Sequence, residues 1–287
     1  MFYLALSILF SSLIFVIFKL FSVHKVHTLY AIIINYMVAF AVGLFFYKGR
    51  IALNNVPQKP WFWGTLVLGC LFIVVFNLMA ATAQRVGVSV ASVATKMSLV
   101  VPVVFGVLIY KEHLSPLQVA GILLALAAVY FASVKGKSVT LGKASLWLPV
   151  LVFLGSGIID TSLKYVQETH IEADEFPLFS ATVFGAAASV GLLLLVSKSF
   201  REPLKFKVKD ILSGIALGIP NYFSIYYLLH ALKHPSLSSA AVFTINNVAI
   251  VMFSTLLGIV LFKEHISPKN WGGIALAIIS IILVALF

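Results

Sequence analysis

Lys96 asks more of its surroundings than any other residue in the chain. It lies in the apolar stretch VGVSVASVATKMSLVVPVVFG, with Ser92 one helical turn before it and Thr95 beside it. Eight residues from position 88 put it roughly 12 Å along a helix that rises 1.5 Å per residue. A lysine near the middle of a membrane-crossing helix costs about 2.5–3.5 kcal/mol even on mild scales, so it needs a cavity or a partner. Facing a cavity, its ammonium would attract a carboxylate or phosphate. The competing reading is a side chain that snorkels to the interface or pairs structurally. Asp160, in LGSGIIDTSLK, is the only carboxylate deep within an apolar run. It suits a substrate amine or a coupling proton, and equally an i,i+4 pair with Lys164, with the acid on the favoured N-terminal side. Helical side chains lean toward the start of their helix, which strains a direct Lys96–Asp160 contact.

Other polar side chains interrupt apolar runs. Asn246 and Asn247 sit together in TINNVAIV, and an asparagine pair in an apolar setting is costly unless its amides find partners. Asn221, Tyr222 and Tyr226 follow Gly218 and Pro220, where a proline leaves the carbonyl of Ala216 without its helical donor. Tyr222 and Tyr226 share a helix face, either as a ligand-stacking pair or as aromatic packing. Pro102 likewise leaves the carbonyl of Ser98 free. Asn77 is a further polar candidate. The substrate-binding set is therefore Lys96, Thr95, Ser92, Asn77, Asn221, Tyr222, Tyr226, Asn246, Asn247 and Asp160. The bland alternative is that asparagine and serine simply bond neighbouring helices.

No catalytic, cofactor or metal site is expected. Glu112–His113 and Glu264–His265 are adjacent pairs without the i,i+4 spacing that converges on one ion, so they read as helix-capping and interface turns. Nothing matches a phosphate-binding loop, a zinc-protease helix or a nucleophile elbow. An integral-membrane enzyme would have to use Glu168, His170, Glu172, Asp174 and Glu175, which read as a solvated acidic loop.

The elements that must carry these residues follow from composition. Apolar residues make up 61% of the 287-residue chain and charged residues 10%, against about 25% in soluble domains. Crossing a membrane takes roughly 20 apolar residues per helix. The runs predict helices at 2–22, 28–47, 62–84, 88–110, 116–134, 145–167, 176–197, 209–232, 237–262 and 268–287. Strands are excluded, because backbone groups in lipid need internal partners and a barrel needs an alternation these runs lack. The opening MFYLALSILFSS has no basic stretch and reads as a first helix. Trp61, Trp63 and Trp147 fall where an interfacial belt belongs. Cys70 reads as packing. Lys19 and Lys164, near helix ends, read as snorkelling anchors. The remaining basic residues sit in short loops, as topology signals and lipid contacts, and the net charge of +11 does not form a face for nucleic acid.

The chain repeats itself. KEHLSPLQVAGILLA at 111–125 and KEHISPKNWGGIALA at 263–277 agree at nine of fifteen positions, at an offset of 152. A weaker echo joins SSLIFVIFK, ending at Lys19, to SGIIDTSLK, ending at Lys164. Two five-helix units follow, 1–137 and 143–287, and an odd helix count inverts the second relative to the first. At this offset Thr95 and Lys96 correspond to Asn247 and Val248.

The five-plus-five layout, with each half closing on E-x-[LI]-S-P-x-x-x-x-G, resembles the EamA-type members of the drug/metabolite transporter superfamily over the full length. That resemblance implies an all-α integral membrane fold of ten helices in two inverted five-helix repeats. It also implies a central cavity lined by the third, fourth, eighth and ninth helices with help from the first and sixth. The expected function is secondary transport of a small polar metabolite, an amino acid or other anionic or zwitterionic solute, by alternating access. The expected partners are that solute, membrane lipids and a coupling proton or exchange solute, with the chain a monomer or weak homodimer in the plasma membrane. A channel or a membrane enzyme is the alternative. Loops after odd-numbered helices hold most of the basic residues, which places both termini outside, whereas the resemblance implies termini inside.

Overall fold

A computed structural model describes residues 1–47, 53–102, 104–105, 115–133, 144–170, 175–200, 202–232 and 239–286. Ten helices run through the described residues: α1 Phe2–Val23, α2 Thr28–Phe46, α3 Phe62–Arg85, α4 Val88–Met97, α5 Pro116–Ser133, α6 Ala144–His170, α7 Phe176–Ser199, α8 Val208–Leu232, α9 Ser239–Phe262 and α10 Pro268–Leu286. A 3-10 turn, Leu53–Gln58, precedes α3. Six described segments, in α1, α2, α3, α7, α8 and α9, are long and apolar enough to cross a membrane; α4, α5, α6 and α10 contribute shorter apolar stretches. Ten membrane-crossing helices were expected; among the described residues six are long and apolar enough to cross.

Sequence explains the helix starts. Before α5, Ser115 and Gln118 bond reciprocally: Ser115 N–H donates to the Gln118 side chain at 2.9 Å, and Gln118 N–H to Ser115 Oγ at 3.1 Å. Ser267 and Asn270 repeat the device before α10, at 3.2 and 3.3 Å. This is a capping box with proline at the first helical position, where its missing amide costs nothing.

The helices pack as two exchangeable halves. α2 lies on α8 as α7 lies on α3, α1 on α8 as α6 on α3, and α1 on α9 as α6 on α4. The pairs α2–α7, α4–α9 and α5–α10 join equivalent helices. Small residues permit the close crossings: a Cβ on Gly69 would come within 2.7 Å of the Ala187 backbone on α7, and one on Gly218 within 2.7 Å of the Asn35 carbonyl on α2.

Four expectations need correction. The fourth helix does not run unbroken over 88–110: α4 ends at Met97, and Ser98–Leu99 form a turn before helix resumes at Val100. The carbonyl that Pro102 releases is not left open, since Val101 N–H donates to Ser98 O at 2.8 Å, so the break is a tightened turn. Trp61 is not in the interfacial belt; it is buried, and its Nε1–H donates to Glu175 at 2.9 Å while Lys59 pairs with the same carboxylate. Trp63 and Trp147 are exposed. Cys70 is exposed on the outer stripe of α3 rather than packed. Pro220, by contrast, leaves α8 continuous.

Candidate functional site

The turn after α4 gathers charge. Ser98 Oγ stands 2.8 Å from Asp160 Oδ2, joining α4 to α6, and shares its one proton between that carboxylate and the Thr95 carbonyl at 2.5 Å. Lys96, one turn-end away, lies close enough to Asp160 for electrostatic interaction, yet no ion pair within 4.0 Å joins them among the described residues. Every side chain of α4 from Val88 to Ala94 is buried, whereas Thr95, Lys96 and Leu99 are half-buried. The helix is closed around its start and opens only where its polar end lies.

Asp160 decides which way that opening faces. Leu151, Leu154, Ile158 and Tyr165 form one exposed stripe on α6, as lipid contact requires. At 100° per residue Asp160 lies about 200° round from Ile158. That is the face on which Val152, Phe153, Ser156 and Ile159 are buried, yet Asp160 is itself exposed. An exposed carboxylate on an inward face lines an internal cleft. Asn247 repeats the pattern on α9. It is half-buried, about 200° from Ile245 in the exposed stripe Ile245, Met252, Leu256 and Val260, and α9 packs on α4.

The other candidates are held elsewhere. Asn246 is 2% exposed, and its side chain lies 3.1 Å from Ser7 Oγ, a hydroxyl that also stands 3.0 Å from the Ser224 carbonyl. Asn221 is 3% exposed, and its amide donates to Asn35 Oδ1 at 3.1 Å. Both asparagines therefore bond neighbouring helices, through Ser7 on α1 and Asn35 on α2, two partners that the sequence reading did not single out. Tyr222 and Tyr226 turn to Phe46 on α2, with ring centroids 6.3 and 6.2 Å away, and Tyr226 also packs on His230. This is an aromatic cluster. Asn77 donates to the carbonyl of Ile73 in its own helix at 2.7 Å. Ser92 Oγ bonds Ser89 O at 2.9 Å, and Thr95 Oγ1 bonds Ala91 O at 2.8 Å. The side chain of Lys164, the alternative partner of Asp160, lies outside the described residues. So do Glu112–His113, Glu172, Asp174 and the side chains of Glu168 and His170.

At the other end of α4 stands a second charged group. Gly87 precedes the helix with φ 141°, a conformation only glycine takes without strain, and it has no side chain to cap the helix. Glu264, far along the chain in the second KEH turn, supplies the cap. Its carboxylate accepts from Val88 N–H at 2.8 and 3.1 Å and from Ser89 Oγ at 3.3 Å. Lys19 on α1 lies 3.8 Å from the same carboxylate and donates to the Gln84 carbonyl at 3.2 Å, so it is an inter-helix tie rather than a snorkelling anchor. The fit is close: a Cβ on Gly258 would stand 2.7 Å from Glu264 Oε2. A carboxylate at a helix N-terminus is favoured by both the free amides and the dipole. The KEH turns were expected to be helix-capping and interface turns, and this one caps a helix of the other half.

The family model of the EamA-like transporter family matches residues 1–134 and 143–286. A Haemophilus influenzae protein (strain ATCC 51907 / DSM 11121 / KW20 / Rd), described as uncharacterized, is 29% identical over 258 residues, 88% of this chain and 86% of that protein. A solved crystal structure of another protein superposes with a TM-score of 0.64 at 18% identity, over 99% of this chain and 96% of that one. The last likeness concerns the fold alone.

Proposed function

The chain belongs to the EamA-like transporter family, multi-pass membrane transporters of small solutes, and from that membership we propose that it carries a zwitterionic or anionic metabolite by alternating access. The observation that carries this reading is the exposed carboxylate of Asp160 on the inward face of α6, tied by Ser98 to the helix that bears Lys96. An ammonium and a carboxylate that share a cleft without pairing leave room for a solute between them. Lys96 would hold the carboxylate or phosphate of the solute, Asp160 its amine, and Asn247 would orient the remainder. A single solute bearing both charges, such as an amino acid, answers both side chains at once.

In this reading 1–137 and 143–287 are two inverted five-helix units that supply ten crossings, with α4, α6 and α9 lining the cleft. The cleft is, in this reading, shut on the lysine-rich face, where Glu264 clamps the start of α4. Rocking one half against the other would release that clamp and expose Lys96 from the lysine-rich side. Asp160 would also carry a coupling proton once the solute leaves. A membrane enzyme finds less support: of its acidic loop, the described carboxylate Glu175 is held by Trp61 and Lys59.

The test is uptake of a labelled amino-acid and organic-anion panel into liposomes containing the purified protein. Lys96→Ala is expected to abolish uptake of every solute the wild type carries, with an unchanged melting temperature. Wild-type uptake by a folded Lys96→Ala variant would remove Lys96 from the site.

A further inference from the structure

We propose that a lysine-lined pocket at the seam of the two halves, remote from the Lys96 cleft, binds a phosphate-bearing anion at the membrane surface. The cavity is about 670 Å³, and both halves build it. Lys25, His27 and Tyr30 come from the α1–α2 turn and the start of α2; Lys198, Lys205 and Lys207 come from the end of α7 and the connection to α8.

The pocket has a rigid floor. Asp210 is 1% exposed, and its carboxylate accepts from His27 N–H at 2.8 Å and from Lys207 N–H at 3.1 Å. It thereby caps α8 and fastens the first half's turn to the second half's connection. That carboxylate is committed to backbone amides. The other acid in the lining, Glu202, already faces Lys198 at 4.0 Å. Lys25, Lys205 and Lys207 are thus left as the cations of the rim, with Lys198 held 5.7 Å over the ring of Tyr30. The His27 and Tyr30 rings stack at 3.8 Å and form one wall.

Lys25 follows the end of α1 in the left-handed conformation, φ 53°, as Lys263 does after α9 at φ 52°. Lys25 N–H bonds Ser22 O at 3.3 Å and Val26 N–H bonds Phe21 O at 2.8 Å, which fixes the turn that brings Lys25 to the pocket. Phosphate oxygens suit several ammonium groups better than a carboxylate does, since three acceptors can meet donors from different directions. Phe200, Phe206 and Val208 are exposed beside the lysines. Apolar side chains next to cations mark the headgroup level of a bilayer, so a phospholipid headgroup with its chains along these residues is the favoured source, and a soluble phosphate ester has the same chemistry.

The test uses the full-length protein in uncharged detergent. Phosphatidylglycerol, phosphatidylcholine, glycerol phosphate and inorganic phosphate are titrated separately, and binding is read by native mass spectrometry and melting temperature. Phosphatidylglycerol is expected to bind and stabilise the wild type, with roughly tenfold weaker affinity for the Lys25→Gln/Lys205→Gln variant. Lys263→Gln/Lys269→Gln, on the same face, is expected to keep wild-type affinity. Stabilisation by glycerol phosphate or inorganic phosphate, lost in the pocket variant alone, supports the site with a soluble ligand as its source. Equal losses in the pocket and control variants, or no binding of any anionic probe to the wild type, would overturn the site.

Discussion

Replacing Glu264 by glutamine isolates the clamp on α4. The carboxylate receives one backbone N–H, one hydroxyl and a nearby ammonium. A hydrogen bond to a charged group contributes about 1.5–3 kcal/mol, against about 0.5–1.5 for a neutral one. Glutamine keeps one neutral acceptor for Val88 N–H, so the loss there is about 1 kcal/mol. Charge at a helix start adds about 0.3–1 kcal/mol, and Lys19, at 3.8 Å and partly solvated, adds little after screening. The closed state is therefore weakened by about 1–2 kcal/mol, which raises the population open at the lysine-rich face roughly 5–30-fold. Ser92, fully buried one turn into α4, reports that opening. In a Cys70→Ala, Ser92→Cys background, Glu264→Gln should speed labelling by a membrane-impermeant maleimide from the lysine-rich face by this factor. An exposed Lys205→Cys marker identifies that face in right-side-out and inverted vesicles. Unchanged labelling with a lowered melting temperature would refute the argument, because Glu264 would then hold the fold without controlling access.

Asp160→Asn keeps the Ser98 hydrogen bond but removes the charge; it should uncouple uptake from an imposed proton gradient, and equally driven uptake would show that Asp160 carries no proton. Gly87→Ala should lower the melting temperature and labelling protection together, since the backbone there lies at φ 141° and the new methyl would stand 3.2 Å from Glu264 Oε2; a circular-dichroism melt matching wild type would contradict it. His27 lies outside the membrane-spanning helices, and burial first, then Lys198, hold its pKa below 6.5, against the opposing pull of Asp210. Because the folded state prefers the neutral ring, this contribution is complete above pH 6.5 and is lost as pH falls through the folded value. The melting temperature should therefore fall below pH 6.5 less steeply in His27→Gln than in wild type.

The helices and the repeat were legible because each rests on local pattern, and Lys96 and Asp160 stood out as candidates for the same reason. Apolar runs of fixed length predict spans, and a lysine or aspartate within such a run stands out without any tertiary knowledge. What escaped depends on distant partners. Nothing near Gly87 says that its helix is capped by Glu264, although a helix start lacking Ser, Thr, Asp or Asn at its cap poses the question of what satisfies it. Ser98 was noticed only for its carbonyl, because a hydroxyl that bonds its own turn gives no sign in the sequence that it also faces Asp160. Asn221 and Asn246 had two readings of equal standing. Only the positions of Asn35 and Ser7 give each an inter-helix bond. Trp61 looked interfacial because Glu175, which buries its indole, lies on the other half.

The repeat bears on function through what it fails to copy. At the offset of 152, Lys96 corresponds to Val248 and Thr95 to Asn247; in the echo that joins Lys19 to Lys164, Asp160 corresponds to Phe15. The framework devices do recur, as the capping boxes before α5 and α10 and the exchanged helix contacts demonstrate. If buried polarity served only to fasten helices, a twofold frame would need it equally in both halves. A lysine in one half and an aspartate in the other, each without a charged counterpart at its repeat position, do not serve symmetric fastening and suit a ligand that is itself asymmetric, with an anionic and a cationic end. A double exchange separates these alternatives. Moving the lysine to its repeat position, Lys96→Val with Val248→Lys, preserves composition and near-symmetry. It should fold to within a few degrees of the wild-type melting temperature yet lose uptake, because the ammonium no longer faces Asp160. Retained uptake would mean that charge anywhere in the cleft suffices, and the one-sided pairing of Lys96 with Asp160 would lose its meaning.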